Sequence, residues 1–94
     1  LVELGPPDID RAIIAKIIAT LSNINAAYRA IEVIKLYSKV REILQARSPR
    51  VLAAACIVKV LGMSIIEAAR VMGTSTTSVR EVLQLLEHME VHED

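Results

Sequence analysis

Short hydroxyl side chains and an arginine follow a glycine near the end of the chain, in the run Gly73-Thr74-Ser75-Thr76-Thr77-Ser78-Val79-Arg80, with a glutamine at position 84. Hydroxyls of this size suit contacts with phosphate oxygens and base edges, and a guanidinium suits guanine. These residue types, close to a helix start, are typical of a surface that binds nucleic acid. What they can reach depends on the elements that hold them.

The spacing around this run predicts a helix-turn-helix over about residues 64–89. Ala69 is small, Gly73 follows four residues later, and Val79 and Val82 lie six and nine residues after Gly73. Two short helices that cross steeply need a small residue at their contact and a glycine with positive φ at the turn. The same spacing fits a helical hairpin used only for packing, so both interpretations stay open.

In this motif we expect Val79 and Val82 to pin the second helix onto the first. That arrangement leaves Thr76, Thr77, Arg80 and Gln84 toward solvent, with Ser75 and Ser78 near the helix start. In a DNA-binding helix-turn-helix these positions enter the major groove.

The helix that organises the fold is predicted between Ser48 and Gly62. Ser48 suits an N-cap, Pro49 suits the first helical position, and Gly62 suits the left-handed residue that ends a helix. No polar residue occurs from 51 to 58, so this helix is expected to be buried on every side. The apolar run is too short for a membrane span, which takes about 20 residues.

Apolar periodicity predicts four further helices, over residues 9–21, 26–46, 65–72 and 76–89. Asp8, Asn25, Ser64 and Ser75 are the expected N-caps, Ser64 together with Glu67 as a capping box. Residues 1–8 are expected to be an extended lead-in and residues 90–94 a fraying end. The inner stripes of the first, second and fifth helices are Ile13, Ile14, Ile17, Ile18 and Leu21; Ala30, Val33, Ile34, Tyr37, Val40 and Leu44; and Val79, Val82, Leu83 and Leu86. The predicted fold is an all-α, five-helix bundle around the buried central helix, in one domain of residues 1–94.

Composition agrees with a single helical domain that has an aliphatic core. Of the 94 residues 53% are hydrophobic, and neither Phe nor Trp occurs. The net charge is zero, but residues 29–80 carry a net +6 and residues 81–94 a net −5. A basic middle segment indicates an anionic partner, or else only solvated helix faces. Nothing resembles a signal peptide, so we expect an intracellular domain (cytoplasm, or nucleoid if archaeal); the first residue is Leu, which suggests a fragment or a processed product.

No set of residues converges on catalysis. The serines lack an accompanying His and Asp arrangement, and the acids cluster toward the chain ends, so we expect neither an enzyme nor a bound cofactor. Cys56 is the single cysteine, which excludes an intramolecular disulfide and a cysteine-based zinc site, and we expect a buried thiol. His88 and His92 have the i, i+4 spacing of a metal-binding pair, but such a pair near a chain end is more typical of solvated side chains.

The residues of the central helix and of the turn resemble a known family. The run Arg47-Ser48-Pro49-x-x-Leu52-Ala53-Ala54-Ala55-Cys56-Ile57, followed by the Gly73–Arg80 run, is similar to the cyclin-like repeats of transcription factor IIB and of its archaeal counterpart, transcription factor B. The resemblance covers about residues 6–89 and is nearest to the C-terminal repeat. It implies a cyclin-like bundle whose last two helices form the helix-turn-helix.

In that family the second repeat reads a promoter element beside the TATA box through its last helix. The resemblance therefore implies a module of a transcription initiation factor, with double-stranded promoter DNA as its partner. It also implies TATA-binding protein or other transcription proteins as neighbours, and neither a membrane nor a small-molecule substrate. The implied DNA-binding residues are Ser75, Thr76, Thr77, Ser78, Val79, Arg80 and Gln84, with Arg47 and Arg50 facing phosphates at the start of the central helix.

The alternative is a protein-interaction module. Cyclin boxes also bind helices or peptides in grooves between their own helices. After Arg80 the last helix carries no further Lys or Arg, and Leu83, Leu85 and Leu86 span more than one of its faces. An exposed apolar face could then bind a partner protein or a second copy, and the zero net charge favours this interpretation over DNA.

Overall fold

The computed structural model describes residues 7–93, and among these the side chains of residues 10–89. This part of the chain forms five α-helices and no strand, with a short 3-10 turn at Ala27–Arg29 before the second helix. The helices are α1 Pro7–Asn23, α2 Ala30–Ile43, α3 Pro49–Leu61, α4 Ile65–Met72 and α5 Thr76–Glu93. The predicted five-helix, all-α fold is confirmed. No helix in the described range has the length and hydropathy needed to cross a membrane.

Helix α3 lies at the centre, and each of the other four helices packs against it. Seven successive residues, Val51–Ile57, are buried, so no side of this stretch faces water. Alanines in its middle let the surrounding helix backbones approach closely, because they add little side-chain volume. Pro49 is its first helical residue, and Gly62 follows with φ +74°, as predicted. Ser48 holds the N-cap position, but its hydroxyl makes no capping hydrogen bond, so that detail of the prediction is wrong.

The outer helices each contribute an aliphatic stripe to one core. The fully packed positions of α1, α2 and α5 are Ile13, Ile17 and Leu21; Val33, Tyr37 and Val40; and Val79, Val82 and Leu86. Five of the other predicted stripe residues, Ile14, Ala30, Ile34, Leu44 and Leu83, are partly buried against this core. Ile18 was placed on the inner stripe wrongly, because its side chain is 43% exposed.

The ends of α1 and α2 differ from the predicted ones. Helix α1 begins at Pro7, so Asp8 lies inside its first turn and is not the N-cap. Asn25 does not cap α2 either: it takes φ +61° in the bend after α1, where the Ala26 N–H bonds to the Leu21 carbonyl at 2.7 Å. A 3-10 turn therefore precedes α2, which ends at Ile43, three residues before the predicted end. Helix α5 runs on to Glu93, where fraying was expected. The extended lead-in predicted for residues 1–8 is wrong at residues 7 and 8, which belong to α1. Residues 1–6 and the acidic side chains of 90–94 lie outside the described part.

A polar cluster ties α1 to α2. The Tyr37 hydroxyl donates to Asp10 Oδ1 at 2.6 Å, and Arg41 Nε donates to the same oxygen at 3.0 Å. Tyr37 is almost wholly buried, so its hydroxyl needs such a partner. The hydrogen bond from Tyr37, assisted by Arg41, lowers the pKa of Asp10, while partial burial acts in the opposite direction.

We expect Tyr37→Phe to lower the free energy of unfolding by about 1–2 kcal/mol at pH 7, because a hydrogen bond to a charged group is lost at a partly exposed carboxylate. Since the pKa of Asp10 is lowered in the folded protein, its contribution is present above the unfolded value near 3.8 and is lost as the pH falls through the folded one. The difference between wild type and variant should therefore shrink between pH 5 and pH 2, as measured by urea unfolding. Tyr28→Phe, at a tyrosine that is 79% exposed, is the control. An equal loss at pH 7 and pH 2 would contradict the role given to the Asp10 charge.

Candidate nucleic-acid interface

Helix α4, the turn at Gly73 and helix α5 have the order and spacing of the predicted helix-turn-helix. Gly73 ends α4 with φ +72°, its N–H reaches the Arg70 carbonyl at 3.2 Å, and the Thr74 N–H reaches the Ala69 carbonyl at 2.9 Å. A side chain with a Cβ is strained in this conformation, which is why a glycine stands here. Ala69 and Val79 are both buried, so the two helices are held together by the small and apolar residues expected from the spacing.

Serine hydroxyls fix the starts of both helices in the motif. The Ser64 Oγ accepts from the Glu67 N–H at 3.1 Å, and the Ser75 Oγ accepts from the Ser78 N–H at 3.2 Å. The predicted N-cap roles of Ser64 and Ser75 are confirmed. Ser75 also donates its hydroxyl hydrogen to Ser78 Oγ at 2.9 Å, so these two groups are occupied with each other at the start of α5.

The exposed face of α5 carries Thr77, Arg80 and Gln84. Their spacing of three and four residues places them on one side of the helix. Thr76 and Ser78, also predicted to line this face, are half-buried. Val79 is wholly buried in the core, so the contact with DNA that the resemblance implied for it does not fit its position: Val79 packs the motif.

The start of α3 lies beside the turn of the motif. A Cβ atom placed on Gly73 would lie 3.6 Å from Nη1 of Arg50, so this guanidinium rests against the glycine. Two residues that are 23 positions apart in the sequence thus share one surface. The glycine is needed for its φ, whereas a Cβ would meet Arg50 only at an ordinary van der Waals distance.

Arg47 pairs with a carboxylate of α5. Its Nη1 atom lies 3.2 Å from Oε1 of Glu81, and both side chains are about half exposed. The Glu81 carboxylate is adjacent to Arg80 and would repel phosphates. Its ion pair with Arg47 compensates this negative charge. Arg47 was expected to face phosphates, and that role stays a prediction; in the structure its guanidinium forms this ion pair.

Three exposed arginines around the motif, Arg50, Arg70 and Arg80, have no ion-pair partner among the described side chains. Arg70, in the last turn of α4, was missed by the sequence analysis, although its place three residues before Gly73 within the basic segment could have identified it. The motif therefore presents positive charge on both of its helices and on the neighbouring start of α3.

No cluster of three His, Cys, Asp or Glu side chains with the geometry of a metal site occurs within residues 10–89. His88 is exposed, and the side chain of His92 lies outside the described residues. Burial raises the pKa of Cys56 to about 12, so its sulfur stays a thiol and is not a nucleophile at neutral pH.

Comparison with protein-family models, with curated proteins and with solved structures found no match to this chain. The likeness to transcription factor B therefore stays a prediction from the residues alone.

Proposed function

We propose that this chain is a DNA-binding module of the transcription machinery, similar in role to the C-terminal repeat of transcription factor B, and that it docks α5 in the major groove. The observation that carries the proposal is the exposed face of Thr77, Arg80 and Gln84, which follows the glycine turn of a helix-turn-helix. Such a helix presents its first turns to base edges while the preceding helix crosses the backbone.

Each side chain of this face has a chemical role to match. The Arg80 guanidinium can bind O6 and N7 of guanine through two hydrogen bonds, and the Gln84 amide can do the same with N6 and N7 of adenine. The Thr77 methyl suits the methyl group of thymine. Arg50 beside the turn and Arg70 on α4 are placed to contact phosphates, which fix the register but carry no sequence information.

The charge balance favours modest affinity. Two unpaired phosphate-binding arginines would release few counterions, so binding should depend on salt with a logarithmic slope of only about −2. A module of this kind works best beside another DNA-bound protein, and TATA-binding protein is the neighbour that the family resemblance implies. Promoter DNA is accordingly the expected ligand.

The test begins by enriching duplexes from a random-sequence library with the wild-type chain. Affinity is then measured by fluorescence anisotropy on an enriched and an unselected duplex, at about 50 and 200 mM salt. We expect Arg80→Ala to weaken binding to the enriched duplex by about 1–3 kcal/mol and to change binding to the unselected duplex little. Arg50→Ala should weaken both duplexes alike and reduce the salt slope by about one.

Arg11→Ala is the matched control, because it removes an exposed arginine from α1, outside the motif. It should leave both affinities unchanged. Failure to enrich any sequence, together with no binding at about 50 mM salt, would remove DNA as the ligand. If Arg80→Ala binds the enriched duplex as tightly as the wild type does, α5 is not the recognition helix.

A further inference from the structure

One carboxylate lies on the face of α5 that we propose enters the major groove. At about 100° per residue, Thr77, Arg80, Glu81 and Gln84 fall within an arc of about 100° around the helix axis. All four side chains are exposed, and the buried stripe of α5 lies on the opposite side of the helix. Glu81 is therefore a member of this face, together with the three residues already assigned to it.

The Glu81 side chain is held from a second part of the chain. Arg47, just before α3, places its Nη1 atom 3.2 Å from Oε1 of Glu81. Both residues also line one shallow depression with Gln84, between the start of α3 and α5. A guanidinium has fixed donor directions, so an ion pair with it narrows the orientations of a carboxylate. The carboxylate is thus oriented in the free chain, and 55% of the Glu81 side chain stays exposed and can accept a further hydrogen bond.

A carboxylate on this face requires a hydrogen-bond donor on the DNA. It is repelled by phosphates and by base edges that carry only acceptors, such as O6 and N7 of guanine. The amino group at N4 of cytosine is the donor from which an acidic side chain accepts in the major groove. Thymine carries its O4 acceptor at the corresponding place, so a change from cytosine to thymine replaces an attraction by a repulsion.

We propose that Glu81 determines DNA specificity by accepting a hydrogen bond from N4 of a cytosine, and that Arg47 is the residue that positions it. This inference rests on the proposed docking of α5 in the major groove. Arg80 and Glu81 lie at opposite edges of the same face, so the helix presents a guanidinium for guanine and a carboxylate for cytosine together. The expected ligand is accordingly a duplex element that contains G·C pairs.

The test compares the sequences that wild type and Glu81→Gln enrich from a random duplex library. Glutamine has the same shape but can donate as well as accept, so it does not reject thymine. We expect one position at which the wild type requires cytosine and the variant does not. Two duplexes that differ only by C·G or T·A at this position are then compared by fluorescence anisotropy. The wild type should prefer cytosine about tenfold or more, and Glu81→Gln no more than about twofold.

Glu42→Gln is the matched control, because it makes the same change at an exposed carboxylate of α2, outside the motif. It should keep the wild-type preference for cytosine. Arg47→Ala should reduce this preference severalfold, and Arg47→Lys should restore part of it. Loss of a phosphate contact alone would weaken both duplexes without changing the ratio of their affinities. Circular dichroism on each variant confirms that it is folded.

Two results would overturn the assignment while leaving the proposed function intact. If Glu81→Gln enriches the same sequence as the wild type, whatever its affinity, the carboxylate reads no base. If Arg47→Ala keeps the full preference for cytosine, Arg47 does not position Glu81. Failure of the proposed function has a different signature: the wild type enriches no sequence, or Arg80→Ala binds the enriched duplex unimpaired. Either of these removes the role of Glu81 as well.

Discussion

Ala54→Asp is expected to leave the chain without a cooperatively folded state. Ala54 has no exposed surface, it lies in the middle of α3, and its neighbours along the helix are equally buried. An unpaired carboxylate at such a site costs several kcal/mol even if it takes up a proton. That loss is comparable with the whole stability of a domain, about 5–15 kcal/mol. Far-UV circular dichroism and urea titration would show it directly.

The control is the same substitution at a helical alanine on the surface. Ala15→Asp on α1 has the same cost in helix propensity, about 0.7 kcal/mol or less, but the new carboxylate faces water. It should fold with an unfolding midpoint close to the wild-type one. An Ala54→Asp chain as stable as Ala15→Asp would mean that α3 is not surrounded by the other helices.

The thiol of Cys56 should react with an aromatic disulfide reagent on the order of a thousandfold more slowly in the folded chain than in denaturant. The sulfur is fully buried, and burial raises the pKa of Cys56 to about 12, so the reactive thiolate is scarce. Reaction therefore requires opening of α3, which costs most of the free energy of unfolding because every other helix packs on it. An opening free energy of about 4 kcal/mol gives this factor, at 1.4 kcal/mol per tenfold.

A thiol moved to the surface is the comparison. Cys56→Ala combined with Ser38→Cys places the single sulfur at an exposed position of α2, where it should react at nearly the same rate with and without denaturant. Rapid reaction of Cys56 in the folded wild type, under conditions where circular dichroism shows no unfolding, would contradict the central position of α3.

Some features with a local signal were predicted correctly, although the N-caps at Asp8 and Asn25 were not. A proline at the first helical position and glycines with positive φ at Gly62 and Gly73 each depend on a few neighbouring residues. The burial of α3 could also be predicted, because a helix without polar residues has no side that can face water. The exposure of Ile18 could not be predicted. Its apolar stripe is wider than the space between the neighbouring helices, so a side chain at the edge of the stripe stays exposed to solvent.

Pairings between distant residues were not predictable from the sequence. The Asp10 carboxylate meets Tyr37 and Arg41, which are 27 and 31 positions away, and Glu81 meets Arg47, which is 34 away. The sequence contains only a weak signal for these pairings. A tyrosine on an apolar stripe needs a hydrogen-bond partner for its hydroxyl, but the sequence does not indicate which residue that partner is. The same distinction holds for the candidate site. The polar face of α5 could be predicted from the helical period of its sequence. The ion pair of Arg47 could not, because it depends on how α3 and α5 cross.

The central position of α3 also bears on how quickly the chain can fold. Helix α3 packs most extensively on α4 and α2, which are its neighbours along the chain, and the α4–α5 contact is again between successive elements. Most contacts thus close short loops, whose entropy cost is small. Helical proteins of this low contact order fold within microseconds to milliseconds. In such a topology we expect the apolar middle helix to belong to the folding nucleus, since a chain that has formed α2, α3 and α4 already holds the surface on which both terminal helices dock.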